Sequence, residues 1–118
     1  MKKPFLAIPL LFASAAVAVA SHLAVANAST AAPAVKAVAI ADYSFKPMTI
    51  TVDAGTSVVW TNKDDDPHTV TADDGAFDSK GLGQGDTYAR TFSKPGRFPY
   101  HCSAHPFMKG VVVVTKGG

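Results

Sequence analysis

From residue 35 to residue 116 the chain is a succession of short β-rich runs, most of them with a two-residue alternation. The runs are separated by turn segments that carry glycine, proline or aspartate. A period of two is that of a half-buried β-strand, and no stretch holds a helical period over a useful length. The runs cover residues 35–43, 48–52, 56–62, 68–72, 86–92, 97–102 and 110–116. Between them lie Phe45-Lys46-Pro47, Asp53-Ala54-Gly55, a charged loop at 63–67, a glycine-rich connection at 73–85 and Ser93-Lys94-Pro95-Gly96. Phe77 and Leu82 are expected to anchor the long connection in the core. The spacing predicts an all-β fold, a Greek-key β-sandwich of about seven to nine strands. Four consecutive valines, Val111 to Val114, fit an inner strand.

The first 28 residues follow a different pattern. Met1-Lys2-Lys3 is basic, residues 5–20 are almost wholly apolar, and Ala26-Asn27-Ala28 is a small-residue cleavage pattern. This is the three-part layout of a secretory signal peptide. We expect cleavage of residues 1–28, a flexible N-terminus at 29–34 and one domain at 35–118. An uncleaved anchor is the competing reading, because the apolar run approaches spanning length. The leader holds only Lys2 and Lys3, so the mature chain carries nine basic residues and nine acidic ones, all aspartate. The basic excess belongs to the leader and gives no argument for nucleic acid. The expected location is the periplasm, with no stable membrane insertion once the leader is gone.

Cys102 is the only cysteine, so no internal disulfide is available. It stands in Tyr100-His101-Cys102-Ser103-Ala104-His105-Pro106-Phe107-Met108, with His105 three residues on and Met108 three beyond that. Upstream, Asp66-Pro67-His68-Thr69-Val70 supplies another histidine. Alternation aims His68 inward with Val70 and Ala72, and Cys102 inward with Phe98 and Tyr100. If the two runs are neighbours, the ligands meet at one end of the sandwich. A thiolate, two imidazoles and a thioether form the donor set of a type 1 blue-copper centre. The expected ligands of one copper ion are therefore His68, Cys102, His105 and Met108. His101 flanks Cys102 and should face the other way. Zinc asks for four Cys or His ligands, and only three are on hand without Met108. A Cys–His nucleophile pair would need a substrate cleft that so short a chain does not advertise.

The segment from Tyr100 to Met108 resembles the ligand loop of the amicyanins, a group of bacterial cupredoxins. Pro67-His68-Thr69-Val70 matches the family's first histidine, and similarity continues through residues 55–62 with Trp60, 85–92 and 110–114. The resemblance implies a Greek-key sandwich, single-electron transfer outside the cytoplasm and the same four copper ligands. It also implies that His105 is the exposed ligand, with Pro67, Pro106 and Phe107 in a surrounding docking patch. The family's usual partners are methylamine dehydrogenase and a c-type cytochrome. Three departures stand out. Asp64-Asp65-Asp66 replaces a more apolar rim and is expected to be either a solvated turn or a collar that steers a basic partner. Gly81-Leu82-Gly83 replaces a methionine-bearing part of that rim. Ala104 replaces a proline, and its N–H is expected to donate to the Cys102 sulfur, with Thr69 supplying another donor.

The expected function is that of a soluble, monomeric periplasmic electron carrier cycling one copper between Cu(I) and Cu(II). It would take electrons from a dehydrogenase or cytochrome and pass them to a c-type cytochrome or an oxidase. It is not expected to be an enzyme, since copper enzymes of this class need further centres that His68, His101 and His105 cannot build. The second reading is a periplasmic copper carrier or storage protein. That role favours exchangeable Met- or His-rich tracts, which the chain lacks.

Overall fold

The computed structural model describes residues 34–117. The expected signal peptide and nearly all of the expected flexible N-terminus lie outside the described residues. In chain order the strands are β1 (Val35–Ala41), β2 (Ser44–Lys46), β3 (Thr49–Asp53), β4 (Thr56–Asn62), β5 (Thr71–Ala72), β6 (Thr87–Phe92), β7 (Gly96–His101) and β8 (Lys109–Thr115). They form two four-stranded sheets, ordered β2-β1-β4-β6 and β3-β8-β7-β5. The pairs β1–β4 and β3–β8 are parallel and the others antiparallel. The expected all-β sandwich is present, within the expected range of strand number.

Strand β4 shows why this sequence makes a sandwich. Thr56, Val58, Trp60 and Asn62 are buried, while Ser57, Val59 and Thr61 are half-buried. The Trp60 ring meets Phe77, Tyr88, Phe92 and Tyr100 at centroid distances of 5.4 to 6.5 Å. Phe77 and Leu82 are both buried, so the long connection is anchored as expected. In β8, Val112 and Val114 are buried and Val111 and Val113 half-buried, which suits a strand held between β3 and β7.

Two elements differ from the alternation. The run expected at 35–43 stops at Ala41, because Asp42 and Tyr43 both take the left-handed conformation, with φ of 53° and 56°. They form a two-residue hairpin turn, and the chain returns as β2 through the segment expected to be a break. The run expected at 68–72 shrinks to β5. His68 instead bridges Leu82, with His68 N–H to the Leu82 carbonyl at 3.1 Å and Leu82 N–H to the His68 carbonyl at 2.8 Å. The connection at 73–85 thus folds back and takes the hydrogen bonds that a longer strand would have used. Register still does what the site needs. Thr71 pairs with His101, so His68 before β5 and Cys102 after β7 lie at one end of the sandwich.

Tyr100 is buried, edge-on to Phe45 at 4.7 Å and to Trp60 at 5.4 Å. Among the described residues, its hydroxyl and the neighbouring Trp60 indole N–H have no hydrogen-bond partner of ordinary geometry. Burial pushes the Tyr100 phenol from 10.0 up to about 12. The folded state therefore holds this proton more tightly than the unfolded state. The associated stability is complete below pH 10 and is lost as pH rises towards about 12. A shift of this size corresponds to roughly 3 kcal/mol. Tyr100→Phe is expected to keep or slightly raise stability at neutral pH, by about 1 kcal/mol, because it removes an unpaired buried hydroxyl. It should also flatten the alkaline fall, read as urea midpoints across that pH range.

Candidate metal centre

Strand β7 ends at His101 and β8 begins at Lys109, and these two residues are cross-strand partners. The loop between them is closed by Cys102 N–H donating to the Met108 carbonyl at 3.1 Å. Inside it, His105 N–H donates to the Cys102 carbonyl at 3.2 Å, and Met108 N–H to the His105 carbonyl at 2.8 Å. Each of these two inner bonds closes a step of three residues, so positions 102, 105 and 108 recur on one side of the loop. Burial follows that pattern. Cys102 and Met108 are buried and His105 half-buried, while Ser103, Ala104, Pro106 and Phe107 are exposed. His68 reaches the same place from the other side and is fully buried.

The three strong donors face one another. His68 Nδ1 and His105 Nδ1 are 3.3 Å apart, and the Cys102 sulfur lies 3.8 Å from the first and 3.6 Å from the second. The centre of such a triangle lies about 2.1 Å from each corner, a metal–nitrogen bond length and slightly under a metal–sulfur one. The donor chemistry agrees, since soft sulfur with imidazole suits copper. Together with buried Met108, these residues are arranged as a copper site. His101 stays outside it, with Nδ1 bonded to Asp73 Oδ1 at 2.6 Å.

Thr69 braces the cysteine twice. Its backbone N–H donates to the Cys102 sulfur at 3.3 Å, and its hydroxyl oxygen accepts from Ser103 N–H at 2.8 Å. Among the described residues, Ala104 N–H makes no hydrogen bond to that sulfur. The loop's bonds turn the His105 N–H, not that of Ala104, back onto Cys102, at its carbonyl.

Comparison with known proteins decides the family. The model of the cupredoxin-like domain matches residues 9–114. The chain belongs to the cupredoxins. It is 37% identical over 107 residues to amicyanin-alpha of Methylorubrum extorquens, covering 86% of this chain and 87% of that protein. It is 35% identical over 103 residues to an amicyanin of Paracoccus versutus, covering 83% and 77%. The solved structure of a reduced tryptophan-to-tyrosine variant of amicyanin superposes with a TM-score of 0.65 at 30% identity, covering 71% of this chain and 85% of that one.

In this cupredoxin the surroundings of the site are only partly those expected. Pro67, Pro106 and Phe107 are exposed beside it, Phe107 ring centroid 6.0 Å from that of His105. Asp65 and Asp66 are exposed too, but Asp64 is not part of the outer collar. Its side chain is 16% exposed and bonds His68 Nε2 at 2.9 Å. The Tyr43 N–H, then those of Asp42 and the His68 ring, hold its carboxyl below the usual carboxylate range, against the opposing pull of burial. Two further residues escape the alternation. Tyr43 sets its ring edge-on to both His68 and His105, at 5.1 and 5.2 Å, and its hydroxyl bonds Asp66. Asn62, fully buried, donates to the Asp66 and Leu82 carbonyls at 2.9 and 2.8 Å and so shapes the loop before His68. Its inward parity with Val58 and Trp60 was the available signal, since a polar residue at a core position must have buried partners.

Proposed function

We propose that this cupredoxin is a periplasmic carrier of single electrons, with His68, Cys102, His105 and Met108 as the ligands of its copper. The observation that carries the reading is the tight triangle of the two Nδ1 atoms and the cysteine sulfur, sealed at His68 and Cys102 and half-buried at His105. A copper ion held there supplies a one-electron Cu(I)/Cu(II) couple. The chain's own residues keep the donor positions nearly fixed. Thr69 pins the sulfur, the loop bonds pin His105 and Met108, and the Leu82 bridge pins His68. Fixed donors reduce the rearrangement that accompanies a change of charge. Thr69 N–H also withdraws electron density from the thiolate and so helps set the potential.

His105 is half-buried whereas His68 is sealed, so His105 is the natural route for the electron. Pro67, Pro106, Phe107 and Tyr43 offer apolar surface around it, and Asp65 and Asp66 offer negative charge at its edge. A basic c-type cytochrome fits that surface as a partner, and an amine dehydrogenase is the family's alternative. The test is stopped-flow oxidation of the reduced protein by a basic c-type cytochrome. Fast exchange that slows as salt rises, and slows further in Asp65→Asn/Asp66→Asn, is expected. Slow exchange, together with release of copper to a competing chelator at each reduction, would instead make the protein a metal carrier.

A further inference from the structure

The inward turn of Asp64 has a consequence for the metal centre. Its Oδ1 accepts from Asp42 N–H at 2.8 Å, and its Oδ2 accepts from Tyr43 N–H and from His68 Nε2, both at 2.9 Å. Its own N–H donates to Asn62 Oδ1 at 2.9 Å. Successive N–H groups in a turn form a concavity that binds anions, and here the anion is this carboxylate. The side chain is thus held from several directions at once, and His68 is one of them.

An ionised carboxylate only accepts hydrogen bonds. The proton of neutral His68 must then sit on Nε2, which leaves the Nδ1 lone pair free. Nδ1 is the atom that faces His105 Nδ1 and the Cys102 sulfur. We infer that Asp64 is a positioning residue of the copper centre, one that selects the His68 tautomer able to bind metal through Nδ1 and sets a fixed negative charge behind that ligand. This rests on His68 being a copper ligand. A carboxylate on the far nitrogen of a metal-binding imidazole makes the imidazole more basic. A negative charge there also favours the dication over the monocation, so it weights the site towards Cu(II). Asp65 provides the contrast, because it carries the same charge one residue away on an exposed side chain.

Two measurements test the inference. The first needs no copper. Nitrogen-15 NMR of the metal-free protein at alkaline pH should show His68 with its proton on Nε2. A proton on Nδ1 would overturn the assignment. The second compares reduction potentials of the copper-loaded wild type, Asp64→Asn and Asp65→Asn. Asparagine keeps the shape of Asp64 and an acceptor oxygen, so the fold and the visible band should persist. The affinity ratio of Cu(II) to Cu(I) should fall about tenfold in Asp64→Asn, a rise of about 59 mV for a one-electron couple. The shift in Asp65→Asn should be several times smaller. Equal shifts in the two variants would reduce Asp64 to one charge among others and overturn the proposal. If the wild type forms no coloured copper complex, the ligand reading itself fails. The copper-free tautomer measurement then still decides what Asp64 does to His68.

Discussion

Cys102→Ala is expected to abolish the intense visible absorption of the copper-loaded protein while leaving the chain folded. The thiolate is the only donor in the triangle able to give a strong sulfur-to-copper charge-transfer band, and no second cysteine exists to replace it. The remaining imidazoles and thioether still bind copper, but weakly and with little colour, so the band should fall by more than about tenfold. Folding should survive because the sulfur is small and the loop is held by backbone bonds that alanine retains. One cost is certain to be present. Thr69 N–H loses its acceptor and becomes an unpaired buried donor, worth about 1–3 kcal/mol. Absorption during Cu(II) titration reads the first effect, and far-UV circular dichroism with thermal melts reads the second. An intense red-orange band persisting in the variant would mean that the thiolate is not the chromophore's ligand.

The largest effect on stability is expected from Gly110→Ala. Gly110 lies opposite Tyr100 across the β7–β8 ladder, and the Tyr100 ring covers it. A Cβ at this position would fall inside the van der Waals boundary of that ring and its hydroxyl. The ring cannot swing aside, because Phe45 and Trp60 hold it edge-on from other directions. Overpacking of this kind costs about 1–3 kcal/mol, and here the upper end or beyond is expected because the obstacle is a packed aromatic. Combining Gly110→Ala with Tyr100→Leu should cost less than the sum of the two single changes, since the second removes what the first collides with. Denaturant midpoints of the four proteins check this. Strict additivity would show that the clash is not the cause.

How much of this was legible in the sequence depends on how local the cause is. Strand β4 matches its expected limits because its inward residues, Val58 and Trp60, alternate without interruption. Cys102, His105 and Met108 were legible because their spacing of three is also the spacing of the loop's hydrogen bonds. The turn at Asp42 and Tyr43 was not, since neither residue signals left-handed backbone as glycine does. What stabilises it is the carboxylate of Asp64, 22 and 21 residues away. Asp64 itself was hidden by its neighbours, because a run of three aspartates reads as solvated charge and gives no sign that one of them turns inward. Alternation with Val70 and Ala72 puts His68 on a strand. Its true partner, Leu82, comes from a connection whose path carries no periodic signal.

The closure of the ligand loop has a consequence for how such a centre varies. Cys102 and Met108 are joined backbone to backbone immediately above the last rung of the β7–β8 ladder, His101 with Lys109. The sandwich therefore ends where the loop begins, and what lies between those two residues hangs from that doorframe, with one further tie from Ser103 N–H to Thr69. Residues can be added or removed inside the frame without altering the register of a single strand. The fold would not notice such a change, while the spacing between the imidazole and the thioether would shift. A scaffold with this join behaves as a socket for interchangeable loops, so that coordination can diverge while the body of the molecule stays the same.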